Sequence, residues 1–235
     1  MKFNAVHLVG VGGTGSILLE PLILLFTYHR NGTTNINIWD KDNYESNNNV
    51  RQLFDPQYIG MNKAEAAVLR YQSICPSLVA HPEFLTDSTL YCNLKAFPML
   101  DSQLIILTVD NDPTRRAIVS LLENYNSNLD FALVLPGNEF YTATCLVYPR
   151  VGGVYKMPSP LETSTNIANP EGALPGSCGY KAVSSPQLLG SNFMSACIAF
   201  NYVYKLLEDE PMPFRVNYDG ASMTVLPEGR FIECT

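Results

Sequence analysis

Asn4-Ala5-Val6-His7-Leu8-Val9-Gly10-Val11-Gly12-Gly13-Thr14-Gly15 is the stretch that decides the fold. Its first eight residues are mostly apolar and run into glycines, the pattern of a parallel strand buried on both faces. The residues that follow, Ser16 to His29, carry a wide apolar face at helical spacing. A strand, a glycine-rich turn and a helix in that order form a corner suited to phosphate. The glycines let the backbone turn tightly and approach an anion, and the helix N-terminus offers it free N–H groups. The plainer reading is a glycine-rich turn with no ligand. NAD and ATP would both satisfy such a loop, and the lack of Gly-Lys-Ser/Thr sets aside a Walker-type one.

Outward from this corner the chain alternates strand and helix. Asn35 to Trp39 alternates like a strand and ends at Asp40, where an acidic residue can accept from ribose hydroxyls. Asn62 caps an expected helix from Lys63 to Cys75, stopped by Pro76. Leu78 to Ala80 reads as a strand and Ser88 to Phe97 as a helix. Leu104 to Val109 is a strongly apolar strand ending at Asp110, and Pro113 opens a helix to Tyr125. Phe131 to Leu135 and Thr142 to Tyr148 are further strands. This alternation predicts an α/β fold, a doubly wound, Rossmann-like and mostly parallel sheet. The pattern breaks over 149–187, rich in proline, glycine and serine, which reads as a mobile crossover loop. A helix from Leu188 to Leu207 follows. Phe214 to Tyr218 and Met223 to Leu226 then form a closing hairpin around Asp219-Gly220, a C-terminal antiparallel extension. Residues 1–235 read as one domain.

Composition narrows the function classes. With 46% hydrophobic and 16% charged residues the chain is globular rather than disordered. A net charge of −7 without any basic run argues against a nucleic-acid surface. The longest apolar stretch, Ile17 to Tyr28, is broken by Glu20 and shorter than the about 20 residues a bilayer needs. The N-terminus has no apolar core leading to a cleavage site, so no secretory leader is expected. The cysteines at 75, 92, 145, 178, 197 and 234 include no Cys-x-x-Cys pair. That fits a reducing, cytoplasmic setting and predicts no zinc site; Cys145 and Cys197 read as core thiols.

The run Asp40-Lys41-Asp42-Asn43-Tyr44-Glu45-Ser46-Asn47-Asn48-Asn49-Val50-Arg51-Gln52 makes the reading specific. It resembles the ThiF/MoeB family and the adenylation domains of ubiquitin-activating enzymes. In these a strand ends in Asp-x-Asp and continues, at this spacing, to Glu-x-Ser-Asn-x-x-Arg-Gln. Asn47 stands where the family has Ser, and Asn48 matches its Asn. Gly60-Met61-Asn62-Lys63 resembles the segment whose lysine meets the ATP phosphates. Thr108-Val109-Asp110-Asn111-Asp112 resembles the segment whose aspartate serves Mg²⁺ and in-line displacement at the α-phosphate. Asp112 is then expected to cap the helix that Pro113 begins, leaving Asp110 free. The segment from Cys178 to Val183 resembles the family's Cys-x-x-x-Gly-Val, with Ala182 in place of the glycine; in some relatives that cysteine takes up the activated partner. The resemblance covers residues 4 to 148 closely and 176 to 207 loosely, and the short N-terminus and glycine loop are similar to plasmid and phage branches.

The resemblance implies an adenylyltransferase that uses ATP and Mg²⁺ to activate a carboxylate. The acceptor class is the C-terminal carboxylate of a ubiquitin-like protein or a peptide, with a tRNA-borne carboxylate disfavoured by the acidic surface. It implies that Arg51, Lys63, Asp110 and Cys178 act in catalysis. Gly10, Gly12, Gly13, Gly15, Asp40, Asp42, Asn48, Gln52 and Asn111 would hold the nucleotide, and Asp110 the metal. It also implies a homodimer to which the Leu188–Leu207 helix contributes. The family's N-terminal helix, which lends an arginine to the neighbouring subunit's ATP, has no counterpart ahead of the first strand, nor does its zinc site. Two rival readings remain. An NAD-dependent oxidoreductase would have no use for Arg51, Gln52, Lys63 and Asp110. A non-catalytic partner subunit would be expected to have lost some of them.

Overall fold

The structure is a computed structural model that describes residues 1–29, 34–50, 52, 54–83, 102–124, 129–168 and 188–233. Arg51, Cys178 and the helix expected over Ser88 to Phe97 lie outside the described residues. The described strands are β1 (Ala5–Val9), β2 (Asn35–Trp39), β3 (Leu78–His81), β4 (Ser102–Leu107), β5 (Asp130–Asn138), β6 (Thr142–Val151), β7 (Val154–Tyr155), β8 (Arg215–Asp219) and β9 (Thr224–Glu228). They join one sheet in the order β3-β2-β1-β4-β5-β6-β8-β9, with β7 paired to β6. Pairs among β1 to β5 are parallel, and those from β5 onward to β9 are antiparallel. This is the doubly wound sheet with an antiparallel extension that the alternation predicts.

Among the described residues the long helices are α1 (Gly13–Leu24), α2 (Lys63–Tyr71), α3 (Asp112–Asn124) and α4 (Leu189–Glu208). α1 packs on α4, α4 on β5 and β6, and α2 on β2 and β3. α3 is tied to the sheet by Tyr148, whose hydroxyl donates to Glu123 at 3.0 Å, and by Tyr155, which donates to the Leu122 carbonyl at 3.3 Å. Every residue of β1 and β4 is buried, as a central parallel strand requires. Three of them are polar, His7, Ser102 and Gln103, and His7 and Gln103 answer each other. His7 accepts at Nδ1 from the Trp39 indole N–H (3.3 Å) and meets Gln103 Oε1 through Nε2 (3.1 Å). Those partners specify a neutral ring protonated on Nε2, and burial lowers the His7 pKa to about 4. Trp39 in turn stacks on His81 with ring centroids 3.8 Å apart.

Several boundaries differ from the sequence expectation, for local reasons. α1 begins at Gly13, inside the glycine motif, with Gly12 as its N-cap, so Ser16 is already in the first turn. The ladder widens into a π-helical turn over Leu25–His29. α2 stops at Tyr71, four residues short of Cys75. The stretch expected to open a loop at 149 instead continues β6 to Val151. It turns through Gly152 and Gly153, both at positive φ, into β7, and goes on to helical turns at Pro160–Thr163 and Thr165–Ala168. The remainder of that stretch, 169–187, lies outside the described residues. Cys145 is buried as expected, and burial pushes its thiol pKa up. Cys197 is not a core thiol: Ala196, Ala199, Tyr202, Val203 and Leu206 form the inner stripe of α4, which leaves 197 on the exposed side. Among the described residues no helix is long and apolar enough to cross a membrane.

The turn from β1 into α1 is closely packed. A Cβ on Gly15 would lie 2.0 Å from the Gly10 carbonyl oxygen and 2.7 Å from the Thr108 hydroxyl, whereas one on Gly12 would meet only the Gln52 amide at 4.0 Å. Gly15→Ala is therefore expected to lose about 3 kcal/mol or more of unfolding free energy in urea titration, and Gly12→Ala far less. Equal losses would show that the close approach does not govern this turn.

Candidate active site

The strand order reverses at β1, where the chain turns from β2 on one side to β4 on the other, and open α/β sheets place ligands at such a point. A cavity of about 480 Å³ lies there, lined from the carboxyl ends of β1, β2, β4 and β5. Gly10, Gly12, Gly13 and Thr14 form one wall. Gly10 adopts φ +91°, a conformation that favours glycine. Its N–H donates to the Trp39 carbonyl at 2.7 Å, and the Thr108 hydroxyl reaches the Val9 carbonyl at 2.9 Å and the Gly10 carbonyl besides. The loop is thus fastened to both neighbouring strands. Gly15 does not line the cavity; it is buried beneath the loop, and its part is to let α1 approach.

Asp40 and Asp42 shape the second wall. The Asp40 carboxylate accepts from the Val11 N–H at 2.8 Å and from the Asp42 N–H at 2.9 Å, which ties the end of β2 to the glycine loop. Burial raises the Asp40 pKa, and the two backbone donors and Lys63 work against that rise. Asn62 caps α2 as expected, accepting from Ala64 and Glu65 N–H at 2.8 and 3.2 Å. Its amide also donates to the Asp40 and Asp42 carbonyls at 2.8 and 3.3 Å, so one side chain fixes both the helix and the acidic strand end. Lys63 follows. It is only 7% exposed, and its Nζ stands 3.9 Å from Asp42 Oδ2. Asn48 accepts from the Glu45 N–H at 3.1 Å and its carbonyl from the Gln52 N–H at 3.0 Å. Gln52 is buried with its Oε1 unpartnered.

Asp110 is exposed at the third wall, just beyond β4. Asn111, not Asp112, caps α3: its Oδ1 accepts from the Thr114 N–H at 2.9 Å. Asp112 is instead buried in the first turn, 3.8 Å from an Arg115 guanidinium nitrogen. Asp110 is left free of capping, as expected, but by a different residue. The cavity also brings in groups that the sequence reading passed over. Arg115 donates from Nε and Nη2 to the Val109 carbonyl (3.2 and 2.8 Å) and from Nη2 to the Pro136 carbonyl (2.8 Å), bridging the ends of β4 and β5. Its signal was its place four residues after Asn111, one helical turn on and over the same strand ends. Asn138 closes β5, a polar end to an apolar strand.

No serine, cysteine or histidine is among the described residues lining the cavity. They offer loop N–H groups, three cations (Lys41, Lys63 and Arg115) and several carboxylates, a set suited to a phosphorylated ligand and a metal ion. The described residues contain no group of three or more His, Cys, Asp or Glu side chains arranged to hold a metal. The exposed carboxylate of Asp110 fits Mg²⁺, which keeps waters and takes phosphate oxygens as ligands.

Comparison with known proteins gives a consistent answer. Ubiquitin-like modifier-activating enzyme 5 of Drosophila mojavensis is 29% identical over 140 residues, 54% of this chain and 33% of that protein. The enzyme of the same name from Oryza sativa subsp. japonica is 29% identical over 126 residues, 53% of this chain and 28% of that protein. The chain therefore spans about a third of the length of these relatives. Crystal structures of E. coli MccB share the fold: one superposes with TM-score 0.64 at 18% identity, covering 98% of this chain and 63% of MccB. Another, of MccB with ATP, gives 0.64 at 17% identity, covering 98% and 64%. The family model of the ThiF family matches residues 1–231. The chain belongs to the ThiF family.

Proposed function

We propose that this chain is an ATP-dependent adenylyltransferase that activates the C-terminal carboxylate of a peptide or ubiquitin-like protein. The observation that carries the reading is Lys63. A lysine buried at the first residue of a helix is opposed both by desolvation and by the helix dipole. The Asp42 carboxylate is 3.9 Å away, and Asp40 also feels its charge. Such a cation is worth keeping where a polyanion enters, and here it shares the cavity with the glycine loop.

In the reaction a carboxylate oxygen bonds to the α-phosphorus, the bond to the bridging oxygen breaks, and pyrophosphate leaves. The nucleophile is already ionised, so no general base is needed. Negative charge builds on phosphate oxygens. The loop N–H groups and Lys63 are placed to stabilise it, with Arg51 added by the family resemblance. Asp110 would hold Mg²⁺, which supplies further charge neutralisation when bound. Asp40 keeps lone pairs for ribose hydroxyls, and the orphaned Gln52 Oε1 is an acceptor for a donor on the ligand. The acceptor class is supported by the relatives: the curated ones are named for ubiquitin-like modifiers, and MccB has been solved with MccA. Transfer of the acyl group to Cys178, a cytoplasmic setting and a homodimer complete the reading. For the dimer, α4 exposes Leu189, Phe193 and Tyr204, α1 exposes Leu24 and the π-helical turn after it Tyr28, apolar side chains that a second copy would cover.

ATP–pyrophosphate exchange with candidate carboxylates tests the first step. Arg51→Ala, Lys63→Ala and Asp110→Ala should each stay folded and lose about a hundredfold or more in exchange rate. Cys178→Ser should keep exchange and lose any thiol-sensitive conjugate. Wild-type rates in all three alanine variants would sink the assignment, and a conjugate persisting in Cys178→Ser would remove the transfer step. Light scattering at micromolar concentration should give twice the chain mass; a stable monomer would refute the dimer.

A further inference from the structure

Asn192, in the first turn of α4, is fully buried behind the glycine loop. Its Oδ1 accepts from the Asn138 amide at 2.6 Å and lies 3.4 Å from the Thr14 hydroxyl, which also reaches Asn138 Oδ1 at 3.3 Å. The start of α1, the carboxyl end of β5 and the start of α4 therefore meet at one polar knot. The neighbours of Asn192 on α4 extend it. The Ser191 hydroxyl donates to the Phe140 carbonyl at 2.8 Å and the Ser195 hydroxyl to the Gly137 carbonyl at 3.2 Å, both side chains being buried. A helix that buries a polar face needs each group paired, and these oxygens are.

One atom is not. Asn192 Nδ2 is buried without an acceptor, and a Cβ on Gly13 would lie 2.6 Å from it. Gly13 has to be glycine for this amide to stand where it does, and Gly13 lines the cavity on the loop's other side. A buried donor without an acceptor is uphill, and this one is held directly against the backbone that would receive phosphate.

We propose that Asn192 is the positioning residue of the phosphate-binding loop. Resting on the ATP reading above, it acts on the ligand only through Gly13. Its Oδ1 fixes the amide to Asn138 and Thr14, and the amide sets how far the Gly12–Gly13 backbone stands from the cavity. The effect falls on nucleotide affinity more than on turnover, and it ties the beginning of α4 to the state of the nucleotide site.

The test uses Asn192→Ala, Thr14→Val, Gly13→Ala and the double variant Gly13→Ala with Asn192→Ala. Melting temperature, Mg-ATP titration and exchange kinetics are measured on each. Asn192→Ala should raise the KM for ATP about threefold to tenfold, as loss of one hydrogen-bonding group implies, with kcat changed less than about twofold. Thr14→Val should move KM in the same direction. Gly13→Ala should lower the melting temperature in the wild-type background and clearly less in the Asn192→Ala background, where the clash is gone. A lowered melting temperature with unchanged KM for ATP in Asn192→Ala would mark a purely structural residue and overturn the proposal, and so would additive effects in the Gly13/Asn192 cycle. A wild type that binds no nucleotide would overturn the proposed function and, with it, the role of Asn192 in nucleotide affinity. The melting cycle needs no nucleotide and decides the Gly13 contact on its own.

Discussion

The site depends on one close approach, that of α1 to the end of β1. Gly15 has no Cβ, so the first turn of α1 can sit against the Gly10 carbonyl and Thr108. That approach sets the N-terminus of α1 at the cavity, where the first N–H groups of the helix have no partner within it. Everything else in the site is fastened to this corner. Thr108 holds it from β4, the Trp39 carbonyl and the Asp40 carboxylate hold it from β2, and Asn62 carries the tie onward to α2 and Lys63. Asp40, Asn48, Asn62 and Asn111 each hold backbone groups with their side chains, which shapes this part of the cavity before a ligand enters. Preformed donors and cations of this kind are what phosphoryl chemistry asks of a protein.

Much of this was legible in the sequence, because it rests on local chemistry. A buried strand running into glycines, an acidic strand end at Asp40 and the Asn62 cap each follow from what a few consecutive residues can do. The structure places Gly10, Gly12, Gly13, Asp40, Asp42, Asn48, Gln52, Lys63, Asp110 and Asn111 around one cavity. Gly15 was read as a ligand contact and is a packing residue, since a glycine motif alone does not separate the two roles. Asp112 was read as the cap of α3. Asn111, one position earlier, takes that role because its side chain reaches the Thr114 N–H.

What could not be read is what distant segments contribute. Arg115 matters because β4 and β5 end side by side, and Asn138 and Asn192 matter because β5, α1 and α4 converge. No window of the sequence contains those meetings. The break in strand–helix alternation after Pro149 was real, but 150–168 still forms strand and helical turns. Their regular pieces are too short for periodicity to reveal.

The central claim is that the cavity holds ATP. Trp39, the protein's one tryptophan, lies in its lining and serves as a reporter. The direct measurement is melting temperature together with Trp39 fluorescence, titrated in parallel with Mg-ATP and with NAD. Mg-ATP should raise the melting temperature with a saturable fluorescence change, adding about 2.7 kcal/mol of stability at a hundred times its Kd, and NAD should do neither. A saturable shift with NAD and none with Mg-ATP would contradict the account.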